Sequence, residues 1–168
     1  MLKKIIFKTI YTVLKNIVSF ILPATALILI PRWVEKNWVI QNNFQLIAGC
    51  IVTLIGLTIM FLCISSFIRI GKGTLAPWSP PKNFVVVGLY CYVRNPMILG
   101  VLTVLCGEAL IFNSLPILKW AGTFFVINTI YFFILEEPQL EKRFGQDYLI
   151  YKKNVGRWIP RLTPYKPN

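Results

Sequence analysis

The side chains able to do chemistry in this chain are concentrated in two short stretches. One is basic and polar, running from Tyr90 through Arg94-Asn95-Pro96 to Gly100, and the other is the acidic pair Glu136-Glu137. The chain has no histidine, which removes the commonest general base and metal ligand. Its few carboxylates form no HExxH-like arrangement, and Cys50, Cys63, Cys91 and Cys106 lack zinc-ligand spacing. Metal-assisted hydrolysis and a Ser-His-Asp triad are therefore poor fits, no metal site is expected, and the cysteines read as reduced packing residues. A planar guanidinium beside paired carboxylates suits a cationic or zwitterionic ligand held between them.

Apolar spans must position these stretches. Of 168 residues, 56% are hydrophobic and 14% charged, with a mean hydropathy of +0.64, more apolar surface than one soluble core needs. The pattern predicts a single integral-membrane domain over 1–168, with spans at about 10–30, 44–70, 97–112 and 117–135, a loop over 71–95 and a tail over 136–168. The first stretch follows a basic start but has no small-residue cleavage site before Pro31, so it counts as a span rather than a removed signal. Pro23 is expected to bend it.

Read this way, fifteen of the eighteen lysines and arginines fall on one side, and only Arg32, Lys36 and Lys119 on the other. The positive-inside rule then makes both termini and the middle loop cytoplasmic. A net charge of +12 can also signal nucleic acid, but no base-reading motif is present and the charges are divided among span ends. No nucleic-acid partner is expected, and anionic membrane lipids are the natural counter-charge. The connection Asn113-Ser114-Leu115-Pro116 makes the last two spans antiparallel neighbours and returns Glu136 to the depth of Arg94. Trp33, Trp38, Trp78, Trp120 and Trp158 all fall near span ends or connections, as in an interfacial belt.

In the tail, Leu140, Phe144, Tyr148, Tyr151 and Val155 recur near helical spacing, predicting an amphipathic helix on the membrane or folded over the spans. The expected class is all-α integral membrane, with about four transmembrane helices plus a cytosolic amphipathic C-terminal helix. Gly71-Lys72-Gly73-Thr74 and the prolines that follow predict a defined, largely non-helical path.

Gly88-Leu89-Tyr90, Arg94-Asn95-Pro96-Met97-Ile98-Leu99-Gly100, Glu136-Glu137, Leu140, Phe144-Gly145, Tyr148, Tyr151 and Ile159-Pro160 together resemble the isoprenylcysteine carboxyl methyltransferase and phospholipid methyltransferase superfamily. The resemblance covers about the C-terminal hundred residues, in the family's order and close to its spacing. It implies a membrane enzyme, here of a bacterial inner membrane, that moves a methyl group from S-adenosylmethionine to a lipophilic or lipid-linked acceptor. The family element is often Arg-His-Pro with a tyrosine two residues on; this chain has Asn95 and Ile98, and Val155-Gly156 in place of Val-Pro. The prenylcysteine substrate is therefore not transferred.

On this resemblance Arg94 and Glu137 are the expected catalytic residues, and Gly73, Thr74, Tyr90, Asn95, Pro96, Glu136, Glu137 and Tyr148 the expected cofactor contacts. Each has a plainer reading. Arg94 suits the inner end of any span; Asn95-Pro96 can be a cap and first-turn proline; Glu136-Glu137 complement a helix N-terminus before Pro138. Gly73-Thr74 can be plain loop, and at least one of Tyr148 and Tyr151 is expected to be a membrane anchor. Glu108 is an ionisable residue within a span, but its fourteen-residue offset from Arg94 puts it about 20 Å away along a helix, so it is expected to play no direct part. Two rival classes are a nicotinamide-dependent (NADPH) sterol or enone reductase-like enzyme and a non-catalytic membrane scaffold.

Overall fold

The computed structural model describes residues 21–40, 42–71 and 84–166, and among these every regular element is helical. Helix α1 (Ile21–Val34) contains a π turn at Thr25–Leu29, two residues after Pro23, where the bend was expected. Helix α2 (Asn43–Ser66) runs on into a second π turn, Phe67–Gly71. After a 3-10 turn (Gly88–Cys91) come α3 (Pro96–Ile111), α4 (Leu115–Tyr131), a π turn (Phe132–Glu136) and α5 (Glu137–Asn154).

Among the described residues two helical runs, Asn43–Ser66 and Leu115–Asn154, are long and apolar enough to cross a membrane, against the four spans expected of the whole chain. The described part of α1 and all of α3 are shorter apolar helices. The 16 residues of α3 cover about 24 Å at 1.5 Å per residue, against a hydrocarbon layer of about 30 Å. Proline at its head and Asn113 in the left-handed region, at φ 46°, confine it. The first half of the span expected over 10–30 lies outside the described residues. The tail helix also differs from expectation: instead of starting anew after Pro138, it continues α4 through the π turn. Pro138 sits in the first turn of α5, where its missing N–H costs little.

Side-chain caps fix two starts. Asn42 accepts from the Gln45 amide at 2.9 Å and Ser114 from the Ile117 amide at 3.2 Å, each satisfying one orphan donor of a first turn. The Ser114 hydroxyl also donates to Glu35, tying the exit of α1 to the α3–α4 turn. Helices α2 and α3 share the most extensive packing in the fold, antiparallel along a glycine seam: Gly49 faces Gly107, and Gly56 faces Gly100. A Cβ on Gly56 would stand 2.7 Å from the Gly100 carbonyl oxygen, and one on Gly49 2.8 Å from that of Gly107. Small residues permit this backbone approach. Val101, Val104, Leu105, Ile117 and Ala121 form the core where α3 meets α4.

The tryptophans divide. Trp33 and Trp38 are exposed, as a belt requires, whereas Trp120 and Trp158 are packing residues: Trp120 donates from its indole to the Ala26 carbonyl at 2.9 Å, and Trp158 rests on Phe125 and Phe132. Trp78 lies outside the described residues.

Candidate functional site

Arg94 owes its position to three layers of local structure. Gly88, at φ 57°, opens the 3-10 turn in a conformation costly for other residues. The segment after α5 then straps the loop from outside: Arg94 donates its amide to Gly156 O (2.9 Å), while Tyr92 O and Cys91 O accept from the Arg161 (2.9 Å) and Tyr165 (2.8 Å) amides. From beneath, the Tyr151 hydroxyl donates to Tyr90 O at 2.7 Å. The apolar tail face packs as its periodicity indicated, with Tyr148, Tyr151 and Val155 buried against Val86 and flanked by Phe84, Leu140 and Phe144. Neither tyrosine is therefore a membrane anchor, contrary to the expectation for at least one of them.

The Arg94 guanidinium reaches Glu137 at 2.9 Å and the Tyr148 hydroxyl at 3.4 Å. Glu137, with its side chain 5% exposed, also receives Arg157 Nε at 2.7 Å and Lys152 Nζ at 3.2 Å. Burial works to raise this carboxyl, but the Arg157 bond, the Arg94 charge and Lys152 outweigh it and hold it below the usual carboxylate value. Lys152 can take part only because α5 is not straight. Fifteen residues of continuous helix would place it about 22 Å from Glu137. At Gly145 the backbone turns, with φ 54° and ψ −128°, and the second half of α5 folds back. Lys152 then also meets Glu141, at 2.6 Å.

The two stretches singled out by their chemistry converge on one cavity of about 530 Å³, lined at its polar end by Tyr90, Arg94, Asn95, Glu136, Glu137 and Tyr148. Its apolar part runs between α1 (Leu22, Ala26, Ile30), α3 (Met97, Val101) and α4 (Trp120, Phe124, Ile127). From Glu136 to Trp120 is about 24 Å along the α4 axis. The chamber is thus long, apolar and closed at one end by charge.

Within the polar end, two groups are uncommitted. Arg94 Nε is buried without a hydrogen-bond partner among the described residues, and a buried unpaired donor is costly unless something completes it. Asn95 occupies the N-cap position of α3 but makes no side-chain capping bond, which leaves its amide group at the cavity wall. Pro96 is buried in the first helical turn, outside the cavity lining. Glu136 has its carboxyl pushed up to about 7, first by burial and then by the charge of Glu137. Gly73 and Thr74 lie outside the described residues. Glu108, in the last turns of α3, takes no part in the cavity.

Sequence reading missed Lys152, Arg157 and Gly145, whose roles depend on the fold-back of α5, and the α1 wall of the chamber. The one available signal was Gly145 itself, a helix-weakening residue amid an otherwise helical apolar pattern.

Among known proteins, a family model described as phospholipid methyltransferase matches residues 44–147. No curated protein and no solved structure matches the chain.

Proposed function

The chain belongs to the phospholipid methyltransferase family, whose model covers more than half of its length and agrees with the resemblance read from its motifs. From that premise we propose that it is an integral-membrane methyltransferase using S-adenosylmethionine on a lipophilic or lipid-linked acceptor, at the cytosolic face of a bacterial inner membrane. The observation that carries the proposal is the cavity: a polar end built from Arg94, Asn95, Glu136 and Tyr148 is continuous with an apolar chamber between α1, α3 and α4.

The residues present fit the cofactor. The Glu136 carboxyl at the cavity wall suits its cationic end, and the unpartnered Arg94 Nε suits its carboxylate. When bound, S-adenosylmethionine supplies a methyl group already activated on a sulfonium. The protein's part is then alignment and exclusion of water. Glu137 holds Arg94 in place; Tyr90 and Tyr148 wall the polar end; Trp120, Phe124 and Val101 receive the apolar body of the acceptor. No titrating histidine is needed where the acceptor is already an anion.

The outward faces support a bilayer setting. Phe44, Phe61 and Phe133 are 65–80% exposed, an arrangement suited to lipid and costly in water. Neither the reductase nor the scaffold reading draws support from the family match. Binding to detergent-solubilised protein tests the proposal: saturable S-adenosylhomocysteine binding with no NADPH binding is expected. Saturable NADPH binding, or binding of neither, overturns it.

A further inference from the structure

Past the fold-back of α5 the chain carries charge of one sign. After Asp147 the sequence holds Lys152, Lys153, Arg157, Arg161 and Lys166 and no carboxylate. Lys152 and Arg157 are engaged with Glu137. Lys153 and Lys166 are exposed and form no ion pair among the described residues. Between them stand two apolar side chains turned outward, Ile159 at 81% and Leu162 at 101% exposure.

Single exposed apolar residues are ordinary on a protein surface, but these two continue a larger apolar face. Arg157 lies over the Phe133 ring, 5.5 Å from its centroid, and Trp158 rests on Phe125 and Phe132. The segment therefore leaves α5 beside the row Val126, Ile130 and Phe133, which is 53–65% exposed. It then crosses to the 3-10 turn, where the Arg161 and Tyr165 amides donate to Tyr92 O and Cys91 O. Ile159 lies between the contact at Trp158 and the bond at Arg161, and Leu162 between the bonds at Arg161 and Tyr165. Both side chains thus project from a backbone fixed on either side of them. Apolar side chains flanked by cations suit the boundary between acyl chains and anionic headgroups. A second copy of the chain fits poorly, since its own surplus of cations would face these.

We propose that residues 153–166 form a docking surface for anionic phospholipid of the cytosolic leaflet. Ile159 and Leu162 enter the boundary between headgroups and acyl chains, Lys153 and Lys166 meet the headgroup phosphates, and the bound leaflet thereby secures the loop that carries Arg94. The inference rests on the bilayer setting proposed above and is independent of the cofactor.

Hydrogen–deuterium exchange tests it on the protein reconstituted in nanodiscs of phosphatidylcholine, alone or mixed with phosphatidylglycerol. Amide exchange follows local opening. Over 157–166, and over the 88–94 loop that this segment straps, exchange should be about tenfold slower with phosphatidylglycerol, and the difference should shrink at high salt. Ile159→Ser with Leu162→Ser should speed exchange in both lipids. Lys153→Gln with Lys166→Gln should remove only the effect of phosphatidylglycerol. All four side chains are exposed and none lines the cavity, so S-adenosylhomocysteine binding in detergent should be unchanged in both paired variants.

Equal exchange in the two lipids, a paired variant that exchanges as the wild type does, or protection that stops short of 88–94 each overturns the docking surface and leaves the bilayer setting intact. Protection that follows the number of protein copies per disc rather than the lipid does the same, and assigns the surface to a second copy. Protein that cannot be reconstituted into discs removes the bilayer setting, and this inference with it.

Discussion

Replacing Gly145 by alanine isolates the fold-back of α5 as a cause. A Cβ added there meets nothing within 4 Å, so packing contributes nothing and any effect is conformational. The native φ of 54° with ψ of −128° lies in a region that residues with a Cβ rarely adopt, at a cost of about 1–3 kcal/mol. Gly122 is the internal control: it lies within α4, also with open space around it, and alanine there should stabilise by about 0.5–1 kcal/mol. The two substitutions are chemically identical and should have opposite signs. For a chain of this size, Gly145→Ala should lower Tm by about 2–12 °C, while Gly122→Ala should raise it slightly. Thermal unfolding of the detergent-solubilised protein measures both. S-adenosylhomocysteine affinity should fall only in the first, since straightening α5 draws Lys152 away from Glu137 and Tyr148 away from Arg94. If Gly145→Ala raises Tm as Gly122→Ala does, the fold-back is not what assembles the site.

The glycine seam gives a second expectation: Gly56→Val sets a side chain against the Gly100 carbonyl, which cannot yield, and should cost about 1–3 kcal/mol or more in thermal unfolding. Trp120→Phe keeps an apolar wall but loses the bond to the Ala26 carbonyl, so it should cost about 0.5–1.5 kcal/mol with S-adenosylhomocysteine affinity unchanged. The two glutamates pull stability in opposite directions with pH. Glu137, held below its ordinary 4.5, contributes stability that is present above 4.5 and lost as pH falls below it. Glu136, raised from 4.5 to about 7, opposes folding increasingly as pH rises through that interval. Tm measured from pH 3.5 to 8 should therefore peak near the lower end of that interval, and Glu136→Gln should flatten its decline toward neutrality.

Much of the helical layout was legible because hydropathy and turn chemistry are local. The segments about 44–70, 97–112 and 117–135 correspond to α2, α3 and α4 with their π turns, and the Asn113-Ser114 turn makes neighbours of α3 and α4 as its length required. Among the described residues α3 falls short of the span expected of it, because apolarity was read without length: apart from Glu108 the helix is apolar, but it stops at 16 residues. Convergence of Arg94 on the glutamates was also legible, since counting from a short turn fixes depth. Which glutamate meets Arg94 was not. That depends on the bend at Gly145, which brings Lys152 and Arg157 to Glu137 from 15 and 20 residues away in sequence, and no periodicity encodes a reversal at one residue. The tyrosines misled for a similar reason. Tyr148 and Tyr151 look interfacial on an isolated helix, and only the 84–94 segment packed against them makes them interior.

The central claim is that one cavity holds the methyl donor at its charged end and the acceptor in its apolar length. A structure of the protein bound to S-adenosylhomocysteine tests it most directly. The ligand is expected between Arg94, Asn95 and Glu136, leaving the chamber toward Trp120 open. Ligand found away from this cavity, or filling the Trp120 end with Arg94 and Glu136 untouched, contradicts the account.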